Sequence, residues 1–261
     1  MFYRQYGEGK PIIIAHGLFA MSDNWVRIAK QLSNNNKVYV LDLRNHGQSP
    51  HRQEHSYEVI SADFLEFMND LGLNSATFIG HSMGGKAVLQ FANTYPERVK
   101  QIIIVDISPR VYVHDDEFVK RTINHKVLLE LMQKANLNEF KSRKEIINYF
   151  SEYFQNIFTL QLIQKNIRKD ENGNFAWKIN VEVLNSNLHK IIKEVKLSKN
   201  INDIKTLFIF GGDSPYFKND DKMLINRYFE NVKLKIIEGT GHLLHLEKEN
   251  QFLSILNDFI N

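Results

Sequence analysis

Residues 76–88 read Ala76-Thr77-Phe78-Ile79-Gly80-His81-Ser82-Met83-Gly84-Gly85-Lys86-Ala87-Val88. A short apolar run stops at a glycine. Two residues on stands a serine, then a second glycine and a segment with helical spacing. The G-x-S-x-G spelling is what a strained strand-to-helix turn needs when it must hold a serine hydroxyl in the open. The backbone closes so tightly around the serine that the flanking positions have to lack a Cβ. With 13 Gly and 14 Ser in the chain, about 0.03 such matches are expected by chance. A plain glycine-rich turn is therefore a poor account of the same letters.

Outward from this turn, similar apolar runs recur at Pro11–Ala15, Lys37–Leu41, Gln101–Val105, Thr206–Phe210 and Val232–Ile237. Nearly uninterrupted runs such as Ile12-Ile13-Ile14 and Ile102-Ile103-Ile104 fit strands covered on both faces. Segments of helical period lie between them. Trp25, Ile28, Ala29 and Leu32 form one apolar face, and Ile60, Phe64, Phe67, Met68 and Leu71 form another. Strands alternating with helices predict an α/β chain with a parallel sheet and right-handed crossovers.

From about residue 110 to 200 the rhythm breaks. Helical stretches rich in aromatics (Phe118, Phe140, Tyr149, Phe150, Tyr153, Phe154, Phe158) replace buried strands, and Asn172-Gly173 before Phe175-Ala176-Trp177 signals a small hairpin. Residues 107–200 carry 16 Lys and Arg against 11 Asp and Glu, the rest 17 against 19. The expectation is a core of residues 1–109 and 201–261 with a helical cap of residues 110–200 inserted over the carboxyl edge of the sheet. The cap aromatics must first supply a small core for the insertion, and as a set they would shape an acyl pocket.

A nucleophilic serine needs a base and donors for the oxyanion. Among ten histidines, His242 follows the last strand in Gly239-Thr240-Gly241-His242, where the sheet would deliver it to Ser82. His245 is assigned to the helix that follows. Strand alternation turns His81 away from the cleft. His114, His125 and His189 read as solvated cap residues, and His51 and His55 lie in a polar loop without a nameable partner. One oxyanion donor would be the N–H of Met83, directly after the nucleophile. The other would come from the turn His16-Gly17-Leu18-Phe19, with Leu18 first and Phe19 as the alternative. Asp42, Arg44 and His46 could pass for a catalytic cluster, but they read as a hydrogen-bonded turn supporting the same edge. Acyl transfer to water through Ser82 is the chemistry these residues support.

Composition narrows the classes. A net charge of +3 is too balanced for a nucleic-acid coat. Without cysteine there is no disulfide, thiolate metal site or thiol nucleophile. No H-E-x-x-H or other clustered ligand spacing calls for a metal. The start Met1–Glu8 lacks a secretory pattern, and no run of 18 apolar residues exists to span a membrane, so a cytoplasmic location is expected. The abundance of Asn, Ile and Lys reads as coding bias.

The stretches HGLF, DLRNHGQSP, FIGHSMGGKAV and VDISP resemble the α/β-hydrolase superfamily, and within it the YbfF-type esterases and their mitochondrial relatives. The resemblance implies a mostly parallel eight-stranded sheet, a helical lid, and cofactor-free hydrolysis of short-to-medium acyl esters or thioesters. It also implies that the acid is the residue after the strand Gln101–Val105, which is Asp106 here. The turn Gly211-Gly212-Asp213 offers a second carboxylate, so Asp213 stays open as the alternative. The expected activity is that of a serine carboxylesterase. An acyl-thioesterase or carbon–carbon bond hydrolase with the same triad is the enzymatic alternative, and a non-catalytic small-molecule-binding hydrolase fold is the alternative of another class.

Overall fold

The structure is a computed structural model that describes residues 1–112, 124–198 and 201–261; His114 and Phe118 lie outside these. The strands are β1 (Tyr3–Tyr6), β2 (Lys10–Ala15), β3 (Asn36–Leu41), β4 (Ala76–His81), β5 (Val99–Val105), β6 (Ile167–Lys169), β7 (Phe175–Trp177), β8 (Lys205–Gly211) and β9 (Val232–Ile237). Seven of them form one sheet in the order β1-β3-β2-β4-β5-β8-β9, parallel except where β1 runs antiparallel to β3. The expected eighth strand is absent among the described residues. Before β2 only Tyr3–Tyr6 is extended, so a single strand occupies that edge.

Alternation divides the core between the two faces of the sheet. Ile13, Ile102, Ile104, Phe208 and Phe210 pack with one layer of helices, α2 (Tyr57–Asp70) and α3 (Met83–Thr94), and with the cap. Ile12, Ile14, Ile103, Val105, Leu207 and Ile209 face the other layer, α1 (Val26–Leu32) and the C-terminal helix Glu249–Ile260. Period-2 side chains with both faces covered explain why these strands read as continuous apolar runs. The outer strand β9 instead alternates, exposing Lys233 and Lys235, charges that discourage pairing at an open edge.

The register aligns the carboxyl ends of the central strands: Ala15 pairs with Gly80, His81 with Val105, Val105 with Ile209, and Gly211 with Ile237. The turns that follow β2, β4, β5, β8 and β9 therefore meet at one edge.

The cap region supplies α4 (His125–Lys134), α5 (Arg143–Ser151), α6 (Ile157–Lys165), the β6–β7 hairpin, α7 (Val181–Ser186) and α8 (Leu188–Ile191). Asn124, Asn156 and Asn180 accept bonds from backbone N–H groups at the starts of α4, α6 and α7. The asparagines read as coding bias thus satisfy helix ends that would otherwise lack acceptors. Leu128, Leu129, Met132, Ile146, Phe150 and Ile163 are buried, and the Phe150 ring meets Trp177 edge-on at 5.9 Å. Among the described residues no helix is long and apolar enough to cross a membrane.

Candidate active site

Ser82 sits at φ 52°, ψ −120° between β4 and α3, a region that costs a non-glycine residue about 1–3 kcal/mol. Its N–H donates to the Val105 carbonyl at 3.0 Å, and its own carbonyl accepts from Lys86 N. The glycines show what holds it there. A Cβ on Gly80 would lie 2.5 Å from the Gly84 oxygen, and one on Gly84 would collide with the Ala15 and His16 carbonyl oxygens. Gly85 is equally constrained, 2.5 Å from a methyl of Ile107, a third obligatory glycine that the five-residue motif does not spell.

Asp106 also adopts positive φ, 51°, directly after β5, and its side chain is fully buried. Oδ1 accepts from Gly211 N at 2.9 Å. Oδ2 accepts from the Ser214 hydroxyl and from Nδ1 of His242, the latter at 2.6 Å. A carboxylate can only accept here, so His242 carries its proton on Nδ1 and presents Nε2 as an acceptor. Asp213, the other candidate, is an exposed residue of the large cavity described below, and its N–H donates to Thr240 O. Sequence reading passed over Ser214, although it adjoins Asp213 in the same turn; nothing local marks a serine as a partner for a carboxylate on another strand.

The His242 loop is clamped from three sides. The Tyr216 ring stacks on His242 at 4.0 Å, and the His81 ring lies 4.6 Å away. His81 Nε2–H donates to the His242 carbonyl at 2.9 Å. A Cβ on Gly211 would collide with the Gly241 oxygen. His81, expected to turn away from the cleft, instead lies in the wall of the large cavity, a buried strut beneath the loop. His245 lies in the short helix Leu244–Glu247 as expected, and its ring stacks on Trp25 at 4.3 Å. Burial holds His81 well below the usual imidazole range and His245 at about 3.

The turn after β2 is built on His16. Its Nε2 accepts from Leu43 N at 3.0 Å, so Nδ1–H donates to the Gly17 carbonyl at 2.8 Å. Gly17 comes so close to Ser82 that a Cβ would lie 3.1 Å from the Ser82 Cβ. Phe19 has φ 64°, and its carbonyl accepts from Nδ2 of Asn166, a buried cap residue, at 2.8 Å. Met83 opens α3, so its N–H has no intrahelical acceptor. Leu18, Met83 and Ser82 share the wall of one small cavity, whereas Phe19 lines only the large one.

The Asp42 turn is a scaffold: Asp42 accepts from Ser22 N at 2.6 Å and Gln48 N at 2.8 Å, and Arg44 makes a two-pronged pair with Asp63. His55, left without a partner by its sequence context, is buried against Met83, its Nε2 3.4 Å from Sδ. Lys86, one turn past Ser82, donates to the Ile192 and Lys193 carbonyls, and burial pushes its ammonium down to about 7.

Two cavities open on Ser82. One of about 930 Å³ is lined by His242, Asp213, Trp25 and the cap residues Tyr153, Phe154, Phe158 and Leu162. The other, about 40 Å³, is lined by Leu18, Met83, Tyr57, Ile107, Ile191 and Ile192, among others. Of the named cap aromatics among the described residues, Phe150 is core, Tyr149 packs against Phe140 and Tyr153, and Tyr153, Phe154 and Phe158 border the large cleft.

A family model described as the alpha/beta hydrolase fold matches residues 10–249. The chain belongs to the α/β-hydrolase fold family. This α/β hydrolase is 31% identical to the sn-1-specific diacylglycerol lipase ABHD11 of Xenopus tropicalis, over 99% of this chain and 80% of that protein. It is 28% identical to esterase YbfF of Escherichia coli K12, over 97% and 94% of the two chains. A solved marine microorganism esterase superposes with a TM-score of 0.93 at 37% identity, covering 99% of this chain and 98% of that one. The α/β hydrolase described here is thus an enzyme, a hydrolase of the esterase and lipase kind.

Proposed function

We propose that this α/β hydrolase is a serine carboxylesterase acting on short-to-medium acyl esters through an acyl-enzyme on Ser82. The observation that carries the reading is the 2.6 Å contact of His242 Nδ1 with Asp106 Oδ2, with Ser82 and His242 in the wall of one cavity. His242 Nε2 takes the Ser82 proton as Oγ attacks the ester carbonyl carbon. The oxyanion is met by the N–H groups of Leu18 and Met83. The carbon–oxygen bond to the alcohol breaks, and Nε2 returns the proton to the departing alkoxide. Water then enters; His242 takes its proton, hydroxide cleaves the acyl-enzyme, and Ser82 regains its hydrogen. The His242 side chain is 27% exposed, which leaves water a path for this second half. Asp106 stays ionised and holds the imidazole in its tautomer, and residues 110–200 act as the cap that closes the site.

The test is covalent. A fluorophosphonate should label the wild type at Ser82 and leave Ser82→Ala unlabelled, with ester turnover lost in step. Unlabelled wild type, or turnover that persists in Ser82→Ala, sinks the reading.

A further inference from the structure

Two cavities of very different size open on one nucleophile, and the position of His242 decides what each can hold. The leaving oxygen must come within hydrogen-bond reach of His242 Nε2 to collect its proton. His242 lines the cavity of about 930 Å³ and is not part of the wall of the cavity of about 40 Å³. The alcohol therefore departs into the large cleft. Around the tetrahedral carbon, Ser82 Oγ, the oxyanion and the leaving oxygen take three directions. The fourth belongs to the acyl chain. The small cavity is bordered by Ser82 but not by His242, which leaves it for the fourth direction, so it receives that chain.

Its size sets a length. A water-sized group needs roughly 10–15 Å³ on this measure, so about 40 Å³ accommodates about three such groups beyond the reacting carbon. Part of its wall is built from the segment where the cap returns to the core. Ile191 is buried, its carbonyl accepts from Tyr57 Oη at 2.5 Å, and the Ile192 carbonyl accepts from both Tyr112 N and Lys86 Nζ. That wall is pinned by backbone acceptors and cannot retreat without breaking them. The large cleft has the opposite character. Tyr153 and Phe158 stand 52% and 61% exposed at its rim, an apolar welcome for a bulky group.

Resting on the Ser82–His242–Asp106 reading, we infer that the preferred substrates are esters of short carboxylic acids, of about two to four carbons, with large apolar alcohols. The acyl chain ends against Ile107, Ile191 and Ile192, and the alcohol lies along Tyr153, Phe154 and Phe158.

The experiment varies the two halves separately: p-nitrophenyl esters from acetate to laurate, and acetates of ethanol, benzyl alcohol and 2-naphthol. Wild-type kcat/KM should fall at least about tenfold between butyrate and octanoate, the penalty of overfilling a fixed apolar pocket. Ile191→Ala should move that fall to longer acids while leaving the alcohol order alone. Phe158→Ala should do the reverse, weakening the preference for naphthyl over ethyl acetate. Where Ile191→Ala does not fold, Ile192→Ala serves, since both carbonyl acceptors are main-chain atoms. An optimum at octanoate or longer overturns the inference, as does an acyl order that shifts with Phe158→Ala and not with the isoleucine variants. In both cases labelling of Ser82 would persist, so the serine-esterase reading would stand. Failure of labelling and of all ester turnover would overturn both.

Discussion

Nδ1 of His242 lies 2.6 Å from Oδ2 of Asp106, so the imidazole N–H donates to a fully buried acceptor. The same oxygen takes the Ser214 hydroxyl, and Oδ1 takes Gly211 N, so all three donors hold the carboxylate in one orientation. Asp106→Asn puts an amide where the acceptor must be and invites the wrong imidazole tautomer. The expected loss in kcat/KM is about 10³–10⁴-fold, with Asp213→Asn losing less than about tenfold. The reverse order in steady-state rates would transfer the role to Asp213.

Five buried histidines make stability depend on pH. Burial lowers His16 to about 4 and His46 and His245 to about 3, and holds His55 and His81 well below the usual range. Below pH 6.5 the unfolded chain binds these protons while the folded chain does not, so stability falls as pH falls through the window from 6.5 to about 3. Each group contributes up to about 1.4 kcal/mol per pH unit there. Several kcal/mol should vanish between pH 6.5 and 5, out of a total of about 5–15 kcal/mol for a typical domain. Urea midpoints at pH 8, 6.5 and 5 read this directly, and equal midpoints would contradict it. Because the base must also be neutral to act, rate profiles in acid need the unfolding curve beside them.

Gly84 and Gly72 separate two reasons for a glycine. Gly84 has the backbone of Ala15 and His16 where a Cβ would go, whereas Gly72 has φ +64° and open space around it. Gly72→Ala should cost about 1 kcal/mol for its left-handed backbone. Gly84→Ala must push β2 away from α3 and should cost at least about 3 kcal/mol, together with the ester activity. Denaturation midpoints that rank the two variants the other way would refute the close-packing account of the turn.

What could be read beforehand follows from what local chemistry encodes. Five strands announced themselves because burial on both faces demands apolar runs, β9 through its alternation, and the Ser82 turn because only glycine fits beside it. Tyr-Arg-Gln-Tyr of β1 gave no such signal: it is a half-exposed edge strand that pairs on one side only. Which of Asp106 and Asp213 would meet His242 could not be read from periodicity. The contact made by Asp106 turns on its positive φ, which redirects one side chain after β5. Ser214, His81 and Asn166 were missed for a related reason. Each acts through one hydrogen bond across 100 residues or more, and a polar residue in a turn looks the same with or without that partner.

Asn166 carries the last prediction. It sits at the end of α6, fully buried, donating from Nδ2 to Phe19 O at 2.8 Å and Leu162 O at 2.9 Å, while its main-chain carbonyl accepts from Lys178 N. Through the Phe19 carbonyl it fixes the turn that carries the Leu18 amide, so under the proposed mechanism the cap would steady an oxyanion donor without touching substrate. Asn166→Ala leaves the Phe19 carbonyl without this donor and lets the turn relax from its left-handed geometry. Deleting an oxyanion donor outright costs about 10²–10³ in rate; loosening its support should cost about tenfold in kcat, with KM for p-nitrophenyl acetate nearly unchanged. Asn166→Asp should be worse, since a carboxylate facing a carbonyl repels where the amide attracted. A variant that raises KM alone, or lowers the melting point at full kcat, would make Asn166 a cap-packing residue and nothing more.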